Sequence, residues 1–320
     1  MGVNGFWAWL SKTVGYKPIR VLLRKDDTFI VDAKLMMNKI AYGVDSDCEN
    51  LALEVADRIA LNFQRYKDVL FVNDGNTEIP GLKSPTLEKR AKAKNQLQAK
   101  VQEQEVTLKR KSEELDAESA KKVKTNQETE NLEENNTETK MQEIKELEKK
   151  MENTKRQARR ITTEMSMEIL SHLQQKGFKT LQCKGEADPI LVQLSSKYTY
   201  LVSEDGDLII GGANNLLRSF GKDNLCYSNI CKKVNFTQLQ LKEMACMSGC
   251  DYTKGLERIG FPTAALMIRK YNNLETFLKS EEGSKHDPNF LKLANQAITL
   301  FTPNFIISEV CEVFPKDLAF

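Results

Sequence analysis

The chain has no glycine between Gly81 and Gly177, no proline between Pro85 and Pro189, and no aromatic residue between Phe71 and Phe178. Glycine and proline mark turns and aromatic rings anchor cores, so this middle third can neither turn often nor bury itself. Histidine is scarce as well. Only His172 and His286 are present, and neither falls at finger spacing from a cysteine, which argues against a structural zinc site. The seven cysteines are odd in number and show no framework spacing; Cys226 and Cys231, then Cys246 and Cys250, come nearest to pairs. Reduced, mostly buried thiols in an intracellular protein are expected. No run of about 18 apolar residues exists, which excludes an ordinary helical membrane span. The opening Met1-Gly2-Val3-Asn4-Gly5-Phe6 lacks a basic stretch followed by an apolar one, so secretion is not expected. Phe6 stands where myristoylation wants Ser or Thr.

Across 320 residues, 40% are apolar and 29% charged, with a formal net charge of +2. That is enough apolar material for one large domain or two modest ones, plus a long solvated element. The middle third is rich in Lys, Glu, Gln, Asn and Ala. It reads as two long helices, roughly 86–122 and 141–176, separated by a polar run ending at Glu138-Thr139-Lys140. Their sparse apolar positions are Leu87, Leu97, Val101 and Val106, then Met141, Ile144, Leu147 and Met151, a near-heptad seam in the second set. A helix of about 36 residues is roughly 55 Å long, so this hairpin must project from a domain or cover something. Its plainest reading is a solvated coiled-coil arm or a disordered insert. On either side, residues 20–75 and 178–235 alternate short β-branched runs with helical stretches, which predicts a βαβ sheet split by the hairpin. From about 236 the pattern is helical: Leu239 to Met247, Pro262 to Tyr271, Asn273 to Ser280, and Asn289 to Leu300.

The acidic residues sit at the ends of the apolar runs. Asp32 closes Phe29-Ile30-Val31, Asp74 follows Val69-Leu70-Phe71-Val72, and Asp205 and Asp207 follow Tyr200-Leu201-Val202. Glu186 and Asp188 follow the run ending at Cys183, and Asp251 lies between Cys250 and Tyr252. Ligand sites of open α/β sheets lie beyond the carboxyl ends of the strands. Carboxylates gathered there repel one another unless hard cations neutralise them. An oxygen-only donor set suits Mg²⁺ or Mn²⁺, and the combination points to two-metal phosphodiester chemistry.

Taken together, these segments resemble the XPG-type structure-specific 5′ nucleases, the group containing flap endonuclease and exonuclease 1. Met1-Gly2-Val3-Asn4-Gly5-Phe6 is similar to the M-G-[IV]-x-G-[LF] start of that family. Phe29-Ile30-Val31-Asp32-Ala33 looks like its first metal-ligand strand. Phe71-Val72-Asn73-Asp74-Gly75, with Leu82-Lys83-Ser84 and Lys89-Arg90, looks like its F-D-G-x-P-P…K…K-R segment with two residues inserted. Gly185-Glu186-Ala187-Asp188 resembles the [EG]-E-A-[ED] box, and Ser203-Glu204-Asp205-Gly206-Asp207 the T-E-D-x-D box. Ser248-Gly249-Cys250-Asp251-Tyr252 matches S-G-C-D-Y. Any one acidic box is weak, since such residues are usually solvated or cap helices. Five boxes in order are specific. The likeness runs from residue 1 to about 275 and leaves the distal hairpin unmatched.

The resemblance implies a PIN-like, mixed but mainly parallel sheet flanked by helices, with a helical arch insertion and a C-terminal helix-two-turn-helix subdomain. The corresponding division is 1–82 and 166–235 for the nuclease core, 83–165 for the arch and 236–320 for the helical subdomain. It implies that Asp32, Asp74, Glu186, Asp188, Asp205, Asp207 and Asp251 hold two Mg²⁺ or Mn²⁺ ions. Lys83 and Arg90 fall at its catalytic basic pair; seven residues apart on a helix, they would share one face. Gly2, Asn38, Lys94, Arg156, Arg159, Arg160, Arg258 and Gly260 fall where DNA contacts are implied; for the arginines of the returning helix, an ordinary charged surface is the alternative. Two positions depart from the pattern. Asn38 stands where an aromatic or His is common, and Arg258 replaces the first glycine of the G-[IV]-G-P loop that surrounds a potassium ion. Arg258 either adds a phosphate contact or distorts that ion site.

The expectation is therefore a monomeric, Mg²⁺-dependent nuclease acting on DNA with 5′ flaps, nicks or recessed ends, in the nucleus or wherever DNA is copied. Phe314 to Phe320 lacks the sliding-clamp peptide, so clamp binding by this tail is not expected. The long hairpin could lengthen the arch tunnel or dock a protein partner. The competing reading is a non-catalytic DNA-binding or scaffold protein of the same fold. Retention of all seven mutually repelling acids argues against it.

Overall fold

The computed structural model describes residues 3–75, 81–122, 130–301 and 311–313; Gly2 and the tail from Phe314 lie outside the described residues. The apolar runs form strands because β-branched and aromatic side chains fit a pleated surface. In chain order these are β1 (Ile19–Arg20), β2 (Thr28–Asp32), β3 (Asp68–Asn73), β4 (Lys179–Cys183), β5 (Thr199–Val202), β6 (Leu216–Arg218), β7 (Leu225–Tyr227) and β8 (Cys311–Val313). They lie side by side in the order β1-β7-β6-β5-β2-β3-β4-β8. The central strand β2 is parallel to both β3 and β5, and the β3–β4 and β5–β6 pairs are parallel too. Antiparallel pairs close the edges: β1–β7, β6–β7 and β4–β8. This is the mixed, mainly parallel sheet that the family resemblance implies.

The helices are α1 (Phe6–Ala8), continued by a π-helical turn Trp9–Thr13, then α2 (Ala33–Tyr42), α3 (Leu51–Phe63), α4 (Ser84–Lys122), α5 (Glu130–Ala158), α6 (Thr163–Gln175) and α7 (Asp188–Leu194). After them come α8 (Asp207–Gly211), α9 (Ile230–Val234), α10 (Gln238–Ser248), α11 (Phe261–Tyr271), α12 (Leu274–Lys279) and α13 (Phe290–Leu300). The described chain divides into two units. One holds Met1–Ile40, Ala52–Thr86 and Thr162–Phe320; the other holds Ala41–Leu51 and Leu87–Ile161.

In the first unit, alternation along each strand builds two buried faces. Ile30, Leu70, Val72, Leu181 and Leu201 join a core with Phe6, Trp9, Met244 and Phe261. On the other face Phe29 and Phe71, both wholly buried, meet an aromatic cluster. Phe63 lies 5.3 Å from Phe71 edge-on and stacks on Phe220 at 4.4 Å, and Phe29 lies 4.5 Å from Tyr66. Burying rings on both faces fixes the strand register, because a one-residue slip would turn every ring to the wrong side.

The second unit is the helical hairpin. Lys111–Glu143 at 2.6 Å and Lys155–Glu105 at 2.9 Å tie the described parts of α4 and α5 together in antiparallel register. Less exposed positions recur every three or four residues: Leu97, Val101, Gln104 and Leu108 on α4, then Ile144, Leu147, Met151 and Thr154 on α5. Val106 and Met141, expected in the seam, are 71% and 49% exposed instead. The expected helix 141–176 is also two helices. The chain leaves the helix at Arg159, and Thr162 starts α6 by accepting a hydrogen bond from the Met165 amide. Three β-branched residues in a row, Ile161-Thr162-Thr163, and a capping side chain favour a break there.

Candidate metal centre

Parallel strands deliver the carboxylates to one end of the sheet. In the register, Asp32 sits beside Val72, and Val31 beside both Phe71 and Val202. Asp32 ends β2, Asp74 comes one residue after β3, and Asp205 and Asp207 follow β5. Glu186 and Asp188 follow β4, with Asp188 opening α7. A close approach joins the loops after β3 and β4. The Gly75 amide donates to the Gly185 carbonyl at 2.6 Å, and a Cβ on Gly75 would stand 2.0 Å from the Lys184 carbonyl oxygen. Only glycine fits there. Asp251 arrives from the loop after α10, where the Cys250 amide donates to Thr253 at 3.0 Å and the Leu256 amide to Met247 at 2.8 Å.

Five of the seven carboxylates accept hydrogen bonds that orient them. Asp32 accepts from the Leu35 amide at 3.0 Å and from the Ser203 hydroxyl at 2.9 Å. Asp74 accepts from the Ala187 amide at 2.9 Å, Asp205 from the Asp207 amide at 3.1 Å, and Asp207 from the Val3 amide at 2.7 Å. The Tyr252 hydroxyl donates to Glu186 at 3.0 Å. Among the described residues, however, no three His, Cys, Asp or Glu side chains already converge on one point as a formed metal site would require. The acids are gathered, and their oxygen-only chemistry fits a hard divalent cation, yet their oxygens are held by amides, hydroxyls and one ammonium.

That ammonium belongs to Lys83. It ends a 3₁₀ turn, Gly81–Lys83, just before α4, so it does not share a helix face with Arg90 as the spacing suggested. Lys83 is 9% exposed. Its Nζ lies 2.5 Å from Glu186 and 3.8 Å from Asp251. Burial opposes its charge, but Asp188, Glu186 and Asp251 outweigh burial and hold its pKa above that of an ordinary lysine.

The acids feel the opposite pressure. Burial, then the charge of Asp74, raises Asp32 to about 7 against the hydrogen bonds from Leu35 and Ser203. Burial, then Asp205, raises Asp207 well above the carboxylate range. Burial and then Asp205 do the same to Asp188, although part of its surface remains open to water. A raised carboxyl means that the native state keeps a proton that the unfolded chain has released. For Asp32 that holds between about pH 4 and its folded value, so its contribution to stability falls as pH rises through this window. The metal-free protein in EDTA is expected to melt at a higher temperature at pH 5 than at pH 8, with Asp32→Asn flattening the profile. A melting temperature that climbs from pH 5 to pH 8 in EDTA contradicts this.

The remaining site candidates separate into engaged and open residues. Arg159 donates to the carbonyls of Ala41, Val44 and Asp45 at 2.8, 2.8 and 2.6 Å. Arg156 pairs with Glu152 at 2.7 Å and Asp45 at 2.9 Å. These two arginines latch residues 41–51 to the end of α5, a structural duty that a reading of surface charge did not foresee. Lys94 is part-buried and donates to the Arg159 carbonyl at 3.4 Å, while Arg160 is exposed. Arg90 is half-buried on α4. Asn38 is exposed on α2, its amide donating to the Lys34 carbonyl at 2.7 Å. Arg258 adopts φ 61°, the left-handed conformation that a glycine would take, with its side chain 91% exposed. Gly260 precedes α11 as its N-cap residue.

Sequence reasoning missed the orienting residues. Ser203 and Tyr252 lie inside the quoted boxes but carried no role. Asn73 and Gln182 were not singled out. They are a buried cross-strand pair 2.9 Å apart, and Gln182 also donates to the Asp74 carbonyl at 2.7 Å. Amides inside otherwise apolar strand ends were the available signal. A cleft at the opposite end of the strands is lined by Arg58, Lys67, Lys176 and Lys179. Each of these cations is already paired with an acid: Glu54, Asp26, Asp57 and Asp68 respectively.

No family model matches the chain. A stretch of 134 residues, 38% of the chain, is 31% identical to exodeoxyribonuclease 1 of Saccharomyces cerevisiae and covers 19% of that protein. Another of 117 residues, 31% of the chain, is 28% identical to flap endonuclease 1 of Methanosarcina acetivorans and covers 35% of it. The chain thus matches well under half the length of each of these curated relatives. Among solved structures, the catalytic core of Rad2 in complex with DNA substrate gives a TM-score of 0.60 at 17% identity, over 95% of this chain and 86% of that one. At that identity the likeness speaks for the fold. No helix among the described residues is long and apolar enough to cross a membrane.

Proposed function

We propose that this chain is a member of the XPG-type structure-specific 5′ nuclease family and a divalent-metal-dependent nuclease that cuts 5′ flaps near the single-strand/duplex junction, a reading supported by its likeness to exodeoxyribonuclease 1 and flap endonuclease 1. It would also degrade duplex ends 5′→3′ and leave a 5′-phosphate. The single observation that carries this reading is the collection of seven acids from four strand ends and the α10 loop at one end of the sheet.

Asp32, Asp74, Glu186, Asp188, Asp205, Asp207 and Asp251 would hold two Mg²⁺ or Mn²⁺ ions, which when bound supply stabilisation of the charge that grows on the attacking and leaving oxygens. The chain's own part is orientation and charge. The amides of Leu35, Ala187, Asp207 and Val3 and the hydroxyls of Ser203 and Tyr252 orient Asp32, Asp74, Asp205, Asp207 and Glu186 before substrate arrives. Lys83 would polarise the scissile phosphate, with Arg90 and Lys94 as further phosphate contacts from α4. Arg160 is the open cation on the returning segment. Incubating 5′-labelled flap DNA, fully paired duplex and single strand with the protein and Mg²⁺ tests the specificity: incision at the flap junction supports it, and equal cutting of all three overturns it.

Arg258 extends the proposal to the helical subdomain. A non-glycine residue at φ 61° costs about 1 kcal/mol, and glycine loses a similar amount in chain entropy, so Arg258→Gly should leave stability within about 1 kcal/mol of the parent. A potassium ion in that loop belongs to the same proposal, since Arg258 keeps the left-handed turn that a glycine would give. If the guanidinium touches phosphate, Arg258→Gly lowers the slope of log affinity against log salt by roughly one. Titration of duplex DNA at several salt concentrations measures this; an unchanged slope removes Arg258 from the interface.

A further inference from the structure

The acid cluster contains one cation in a position that the catalytic reading does not use. Lys83 lies with its ammonium against Glu186 and near Asp251, not turned out toward solvent where a phosphate would approach. The Tyr252 hydroxyl takes the other oxygen of Glu186, and the Tyr252 ring lies 5.8 Å from the ammonium. Both oxygens of a candidate metal ligand are therefore committed inside the protein. Asp32, Asp74, Asp205 and Asp207 accept instead from backbone amides and a hydroxyl, which are neutral.

We propose that Lys83 is the built-in counter-ion of the metal-free site: its ammonium holds Glu186 beside Asp251 and competes with the first divalent cation for that carboxylate. This rests on the metal-nuclease reading above and goes beyond it. Like charges a few ångströms apart repel strongly in a partly buried site, and a compact ammonium on a flexible stem can stand in for a metal ion. A cation that takes Glu186 must displace Lys83. The same displacement frees the ammonium for a phosphate, so loading of metal and deployment of Lys83 are one event.

Mn²⁺ titration without DNA, following free Mn²⁺ by paramagnetic resonance, tests this on the full chain, the Lys83→Met variant and the Lys83→Arg variant. Met keeps the stem and loses the charge. Lys83→Met is expected to bind the first Mn²⁺ about tenfold more tightly than the parent, yet to melt at a lower temperature in EDTA, with Lys83→Arg restoring the EDTA melt. Equal or weaker Mn²⁺ affinity in Lys83→Met overturns the counter-ion role while the metal reading stands. No Mn²⁺ binding by either protein overturns both. A second measurement needs no variant: reductive methylation of the parent, read at Lys83 by mass spectrometry, should speed up several-fold when Mg²⁺ replaces EDTA. An unchanged or slower rate at Lys83 contradicts displacement.

Discussion

Asp205→Asn is expected to abolish DNA cleavage while leaving DNA affinity unchanged or raised. Asp205 follows β5 and accepts a hydrogen bond from the Asp207 amide, a bond that an asparagine oxygen can keep. The substitution therefore removes charge without removing the local structure. Divalent cations contribute several kcal/mol to phosphodiester hydrolysis, and each 1.36 kcal/mol is tenfold in rate. Losing one ligand charge should slow single-turnover cleavage by about 10³-fold or more. Binding moves the other way, because the acids face a polyanion and one fewer negative charge weakens the repulsion. Single-turnover cleavage beside fluorescence anisotropy on the same labelled flap separates the two. Equal loss of cleavage and binding would remove Asp205 from the site.

Lys83→Ala carries the second large effect. Removing one charge donor that serves the transition state typically costs about 10²–10³-fold in the chemical step. The variant should therefore cut about 10²-fold more slowly with little change in affinity. Lys83 is buried against Glu186 without substrate, so it contributes little to the initial encounter with DNA. A defect confined to affinity would make Lys83 a binding residue, and a full rate would leave it with the counter-ion role alone.

Much of the fold was legible because its signals are local. The apolar runs ending in acids became β2, β3, β4 and β5, and the four helices read after residue 236 became α10 to α13, with ends that agree within about two residues. Long charged helices were legible from the lack of glycine, proline and aromatic rings. What was hidden depends on contacts between distant residues. The Ser203–Asp32 bond spans 171 positions, and no periodicity announces it. Arg159 looked like a phosphate contact because a carbonyl partner in residues 41–45 has no sequence signature. The break before Thr162 was hidden by the helix-favouring residues around it, although its β-branched run was visible. Lys83 was found as a residue but not as an internal ion partner, since its place beside Glu186 depends on how the loops after β3 and β4 meet at Gly75 and Gly185.

The most direct test of the account is cleavage of a 5′-labelled double-flap DNA in Mg²⁺, beside the same reaction in EDTA. The account predicts a single incision near the junction in Mg²⁺ and none in EDTA. Tight binding without cleavage, in Mg²⁺ and again in Mn²⁺, would contradict it and leave a DNA-binding protein that has kept the fold and lost the chemistry.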